Sequence, residues 1–297
     1  MLRRGKFLPG KGIAALACAV MLLPMAHASA QTTPQAQPDQ SSTAAPRIVT
    51  LSPHITELVF AAGAGDHIVA TVLSSDYPPA ARDIPRIGNG LEISTEKILA
   101  YRPTAVITWQ AQGAAPTLAS TLSELHVPLL HSRPARLRDI PAEITRYGKL
   151  FNTQDQANAA AQALTQRLDQ LAQRYAHKKP VSVFIEVGDS PLYTIGADPL
   201  LNDAIHLCGG VNLYENARIA APQVSVENIL QQRPDVLIAP ARHPAEQADI
   251  RQHWASLQLP AALLGHVYTI NPDTLFRPGP RLIDATEALC HALDQAR

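Results

Sequence analysis

The sequence predicts an α/β protein of two lobes joined by one long helix. Three observations predict it. Apolar, β-branched runs of strand length alternate with helical segments in both halves of the chain, the pattern of parallel sheets. A fifteen-residue segment of the first half, TEKILAYRPTAVITW (95–109), aligns without gaps on VENILQQRPDVLIAP (226–240) in the second. Between the halves, TQDQANAAAQALTQRLDQLAQRYAHKK (153–179) holds neither Gly nor Pro and places Leu164, Leu168, Leu171 and Tyr175 at helical spacing.

The chain has 297 residues and opens on MLRRGKFLPGKGIAALACAVMLLPMAHASA. Arg3, Arg4, Lys6 and Lys11 precede an apolar run from Ile13 to Pro24, and Ala28-Ser29-Ala30 suits a signal peptidase. A spanning helix needs about 20 apolar residues, so residues 1–30 read as a secretory signal cleaved after Ala30. Ala15-Leu16-Ala17-Cys18 loosely resembles a lipidation motif, but the apolar run continues past Cys18. Residues 31–46, rich in Gln, Pro, Ser and Thr, have too few apolar side chains to fold and read as a disordered leader. The whole chain carries 25 Lys plus Arg against 25 Asp plus Glu; cleavage removes four basic residues, leaving a net charge of about −4. Neither nucleic acid nor an anionic membrane is an expected partner.

The N-terminal lobe is expected over 47–152, the connecting helix over 153–179 and the C-terminal lobe over 180–297. In the first lobe IVTL (48–51) reads as a strand that turns into the helix PHITELVFA, with Ser52 as its N-cap, Pro53 at the first helical position and Gly63 just past its end. This places His54 in the first helical turn beyond a strand's carboxyl end, where ligands of open α/β sheets bind. Further strands are expected at HIVAT (67–71), AVITW (105–109) and VPLLH (127–131), then at VSVFIEV (181–187), VLIAP (236–240) and HVYTI (266–270). A second echo pairs LHVPLLH (125–131) with GHVYTIN (265–271), so the order of elements repeats. Cys208 and Cys290 are the cysteines left after cleavage, and an even count in an exported chain reads as a disulfide.

Enzyme signatures are missing. AAGAGDH (61–67) follows a helix and lacks the third glycine of a dinucleotide loop, His54 and Glu57 do not complete His-Glu-x-x-His, and no Gly-x-Ser-x-Gly occurs. His54, His126, His131 and Asp273 form no recognised metal-ligand set.

LSPHITELVFAAG, SDYPP, GLEISTEKILAYRP, the strand ending in Trp109, CGGVNLY, PQVSVENILQQRP and DTLFRPGPR follow one another in an order that resembles the periplasmic substrate-binding proteins of the cobalamin, haem and siderophore class. The resemblance covers nearly all of residues 46–297 and is strongest to the members that bind cobalamin for a vitamin importer. It implies two Rossmann-like lobes on a rigid helix, a ligand in the cleft between them, no cofactor of the protein's own and no catalysis. It implies ligand contacts at His54, Asp76, Tyr77, Gly90, Trp109, Tyr193, Asp273 and Arg277, with the aromatics packing on a flat macrocycle and Asp273 and Arg277 bonding the amide rim of a corrin. Cobalamin or cobinamide is the expected ligand; haem, with Tyr193 or His54 as axial ligand, a siderophore, with only Arg277 and Arg281 as evident cleft arginines, and a bare metal ion are the alternatives. The resemblance also implies a soluble monomer that docks through Glu96 and Glu227 on an ABC permease dimer. The cobalamin binders carry further aromatics where this chain has Ser74, Gly90 and Ala221. They have a small residue at the position of His54, which makes a neutral imidazole there a candidate axial ligand of cobalt.

Overall fold

The computed structural model describes residues 45–89, 94–109 and 115–297. The signal with its cleavage site and Cys18, the leader as far as residue 44, and Gly90 lie outside the described residues.

The first strand, β1 (Ile48–Thr50), is three buried β-branched residues. The chain turns directly into α1 (Pro53–Ala61), with proline at its start. Gly63, at φ +79°, ends it by a Schellman arrangement: its N–H donates to Phe60 O at 2.9 Å, and the Ala64 N–H to Val59 O at 3.0 Å. β2 (Ile68–Ala70), α2 (Thr95–Ala100), β3 (Ala105–Thr108), α3 (Ala115–Glu124) and β4 (Leu129–His131) follow. All four strands are parallel, in the order β2-β1-β3-β4.

Two helices leave this sheet, α4 (Asp139–Phe151) and α5 (Gln154–Tyr175). They pack closely because Gly148 has no side chain: a Cβ there would lie 2.2 Å from the Cβ of Ala157. The helix expected over 153–179 is helical for 22 residues, about 33 Å at 1.5 Å per residue, and ends at Tyr175.

The second sheet begins with β5 (Val181–Asp189), β6 (Leu192–Thr194), α6 (Pro199–Leu207) and β7 (Gly210–Asn212). It continues through α7 (Val226–Gln232), β8 (Val236–Pro240), α8 (Glu246–Ser256), α9 (Pro260–Leu263) and β9 (Val267–Ile270), and the chain closes with α10 (Pro272–Leu275) and α11 (Arg281–Gln295). β7 pairs in parallel with Val181–Val183 of β5, and β8 and β9 continue in parallel on its other side. The parallel strands thus run β7-β5-β8-β9, which is second, first, third, fourth in chain order, as in the first sheet. The exception to the expected parallel pattern is β6, which folds back antiparallel on Glu186–Asp189. β6 and β7 carry no strand signal in the sequence: Leu192–Thr194 and Gly210–Asn212 are short and lack the apolar, β-branched run that marks the other strands.

The internal repeat is visible residue by residue. Ser94 accepts from the Lys97 N–H at 3.3 Å, and Ser225 from the Asn228 N–H at 3.3 Å. Ile98 and Ile229 are both fully buried. Arg102 and Arg233, each preceding a proline, are both left-handed, at φ 45° and 50°. The second echo is geometric too, but shifted by one residue. His126 and Gly265 hold the positive-φ positions, followed by Val127 donating to Leu122 O and His266 to Ala261 O.

One hydrophobic cluster runs from Ile48 and Ile55 through Tyr147, Ala157, Leu168 and Leu171 to Val183, Ile205, Leu289 and Leu293. It therefore passes through α5 from one sheet to the other. Cys208 and Cys290 belong to it and form a disulfide that ties the end of α6 to α11.

Candidate functional site: the inter-lobe cleft

In a parallel sheet of order 2-1-3-4 the chain's direction of progress across the sheet reverses between the first and third strands, and the carboxyl ends there open a crevice. In the first sheet those ends carry Ser52 and His54 after β1 and Trp109 after β3; in the second they carry the β5–β6 hairpin and, after β8, Ala241 and Arg242.

Trp109 is 43% exposed and lines a cavity of about 270 Å³ to which both lobes contribute. Arg133, Pro134 and Ala135 come from the first lobe; Asp198 to Leu201, Leu275, Phe276, Pro278 and Leu282 come from the second. His54 also meets Trp109, in a T-shaped ring contact with centroids 5.6 Å apart.

His54 lies beneath the cleft surface, at 1% exposure. Ser52 makes no side-chain cap bond to α1, against expectation; its Oγ sits 2.7 Å from His54 Nδ1 instead. The imidazole takes the hydroxyl that would otherwise accept from the N–H of His54 or Ile55. From the other lobe Gly279 packs on His54, where a Cβ would lie 3.4 Å from the His54 Cβ. Burial, with the Arg277 charge adding to it, lowers the imidazole pKa to about 3, so the ring is neutral at working pH. Its Nε2 is buried without a hydrogen-bond partner among the described residues.

Beside His54 the lobes are joined by charge. Arg281 donates to Glu57 Oε1 at 2.6 Å and Oε2 at 2.9 Å, and its guanidinium stacks 4.2 Å from the Tyr77 ring centroid. Arg277 donates to Asp76 at 2.6 Å and to Asp273 at 2.7 Å, and Asp273 also pairs with Arg242. Burial raises the Glu57 carboxyl above its ordinary value against the pull of Arg281 and Arg277. For Asp76 burial acts in the same upward sense, but the Arg277 hydrogen bond and charge prevail and hold it low. Of the eight expected ligand contacts, Asp76, Tyr77, Asp273 and Arg277 are thus gathered into one inter-lobe network, in which the charged groups of Asp76, Asp273 and Arg277 are already engaged and Tyr77 takes part through its ring face. Tyr193 sits in β6, bridged to Gln223, and is not part of the cavity wall around Trp109.

Beneath the loop that carries Asp76 and Tyr77 lies a buried hydroxyl cluster absent from the sequence reading. Thr56 Oγ1 is 2.7 Å from Thr50 Oγ1 and 2.9 Å from Thr71 Oγ1, and Thr71 donates to Ser75 at 2.8 Å. These bonds fasten α1, β1 and the 71–77 loop together. Isolated Thr and Ser at strand and helix ends give no sequence signal of such a cluster.

The model of the family described as "Periplasmic binding protein" matches residues 48–274. This chain belongs to that family. The vitamin B12-binding protein of Vibrio cholerae is 33% identical over 253 residues, 85% of this chain and 91% of the relative. The crystal structure of the periplasmic vitamin B12 binding protein BtuF of Vibrio cholerae matches with a TM-score of 0.77 at 33% identity, over 85% of this chain and 98% of that one. The periplasmic haem-binding protein HutB of Vibrio cholerae matches with a TM-score of 0.70 at 19% identity, over 84% and 98% of the two chains, which shows a shared fold.

On this periplasmic binding protein Glu96 and Glu227 stand at equivalent places, in the first turns of Ser-capped α2 and α7, and both are exposed. Bonds from its own backbone N–H and from Ser225 hold the Glu227 carboxyl below its ordinary value. Among the described residues no group of three or more His, Cys, Asp or Glu side chains is arranged to hold a metal ion.

Proposed function

We propose that the protein captures cobalamin or a related corrinoid in the periplasm, in the cleft between its lobes, and delivers it to an inner-membrane ABC importer. The observation that carries this reading is the likeness, along 85% of the chain and at 33% identity, to vitamin B12-binding proteins, combined with an exposed indole at the apposed switch points. Trp109 offers the flat apolar face that a macrocycle packs on. Export with cleavage after Ala30 and docking through Glu96 and Glu227 complete the proposal. Calorimetric and absorbance titration of the mature chain with cyanocobalamin, cobinamide and haemin tests it. Micromolar or tighter binding of both corrinoids is expected; binding of haemin alone would overturn the corrinoid assignment.

Haem is the second reading, supported by the bare Nε2 of His54. His54 is 1% exposed, so either metal centre reaches that nitrogen only if the side chains covering it move aside. Cobinamide, which lacks a lower base of its own, is the probe: a visible-band shift that His54→Ala abolishes would establish coordination, and an unchanged spectrum and affinity would exclude it.

A further inference from the structure

We propose that Arg133 and Asp198 together read a primary carboxamide arm of the ligand, in the cavity beside Trp109; this deepens, and rests on, the corrinoid reading. At about 270 Å³ the cavity falls below the roughly 300–1,000 Å³ of whole small-molecule sites, so it takes an arm and not a macrocycle. Its wall is apolar, from Leu200, Phe276 and Leu282 among others, with one cation from the first lobe and one carboxylate from the second.

The two polar groups expected to bond a corrin rim, Asp273 and Arg277, are bonded to each other and to Asp76 and Arg242. Arg133 is different: among the described residues its guanidinium makes no ion pair. Asp198, the N-cap of α6, accepts from the Leu201 N–H through Oδ1 at 2.9 Å, and no protein donor within the described residues takes Oδ2.

The backbone that carries both groups is held in place. Ser132 Oγ and the Arg133 N–H donate to the Glu143 carboxylate, which fixes the chain where it leaves β4. Four residues on, the Leu137 N–H donates to Asp203 Oδ2 at 2.8 Å, and Asp203 lies in α6. The loop bearing Arg133 is therefore fastened to the helix that Asp198 caps, although the two belong to different lobes.

A guanidinium only donates and an ionised carboxylate only accepts. A carboxylate arm would meet Arg133 but place a second negative charge beside Asp198, and an ammonium arm would do the reverse. A primary carboxamide supplies the carbonyl oxygen for Arg133 and the N–H for Asp198, so one neutral arm pairs with both groups. The pair thereby selects for amidated arms and against free acids.

The test uses cyanocobalamin and its isomeric monocarboxylates, in each of which one carboxamide has been hydrolysed, titrated calorimetrically into the mature protein. One isomer is expected to bind roughly tenfold more weakly than cyanocobalamin or worse, as for a lost bond to a charged group. Asp198→Asn keeps an N-capping side chain and is expected to shrink that discrimination to about threefold or less. Arg133→Gln is expected to weaken cyanocobalamin roughly tenfold with an unchanged Tm. The proposal is overturned if every monocarboxylate binds the wild type within twofold of cyanocobalamin, or if Asp198→Asn leaves the discrimination intact. Failure of the wild type to bind any corrinoid would remove the functional reading itself, and this assignment with it.

Discussion

Arg281 grips Glu57 across the lobe boundary with two hydrogen bonds, and the carboxylate it grips is 2% exposed. Removing one partner leaves a buried charge with only Arg277, at 3.6 Å, to offset it. Arg281→Met is expected to destabilise the fold by about 3 kcal/mol. Glu57→Gln with Arg281→Met is expected to be milder than the sum of the two single changes by about 1–3 kcal/mol. Urea denaturation of the four proteins measures this, and strictly additive effects would show that the pair does not couple the lobes.

His54 makes stability depend on pH. Its pKa falls from 6.5 to about 3 on folding, so between these values the unfolded chain binds the extra proton. Stability from this group is therefore complete above about pH 6.5 and is lost as pH falls toward 3. From pH 7 to pH 4.5 the loss is about 2.5 kcal/mol. In His54→Asn this share of the acid sensitivity should vanish; an identical pH slope in wild type and variant would mean the imidazole is not buried neutral.

Glu96 and Glu227 present matched carboxylates on the two lobes, each on a Ser-capped helix. Under the proposed docking, a permease with two-fold symmetry would offer each acid one copy of the same basic site. Glu96→Lys with Glu227→Lys is expected to stop uptake while ligand affinity stays within about twofold, roughly 0.4 kcal/mol. Uptake at the wild-type rate by the double variant would refute the docking role.

The Cys208–Cys290 bridge closes a loop across 82 residues of sequence. Reducing it is expected to lower stability by about 4 kcal/mol and Tm by roughly 10 °C. Intact mass and alkylation before and after reduction report the bond; two thiols alkylated in the denatured, unreduced protein would contradict it.

The parallel strands, the repeat and the disulfide were legible in the sequence because each leaves a local mark. Ile98 and Ile229 sit at matching places in two aligned runs, and two of the three cysteines lie beyond the expected signal. The cleft was legible in part. Trp109 follows its strand as expected and lines the cavity, yet Asp273 and Arg277 are taken up by Asp76 and Arg242. That outcome depends on contacts spanning some 200 residues, such as Arg277 to Asp76, which no spacing rule reports. The burial of His54 was illegible for the same reason: Gly279, which covers it, comes from the far end of the chain. Arg133 and Asp198 stand in polar turns that look like many others, and only the cavity between the lobes brings them to notice.

The hydrophobic cluster that threads α5 from Ile48 to Leu293 is shared by the two sheets, so they are expected to unfold as a single cooperative unit. Heating should give one calorimetric transition whose measured and van't Hoff enthalpies agree. A fragment ending before α5 would expose the faces of Ile144, Tyr147 and Phe151 that α5 and its neighbours cover, and is expected to stay unfolded until mixed with the rest of the chain. Chimeras that join the first sheet of one relative to the second of another must therefore inherit α4, α5 and α11 as a matched set.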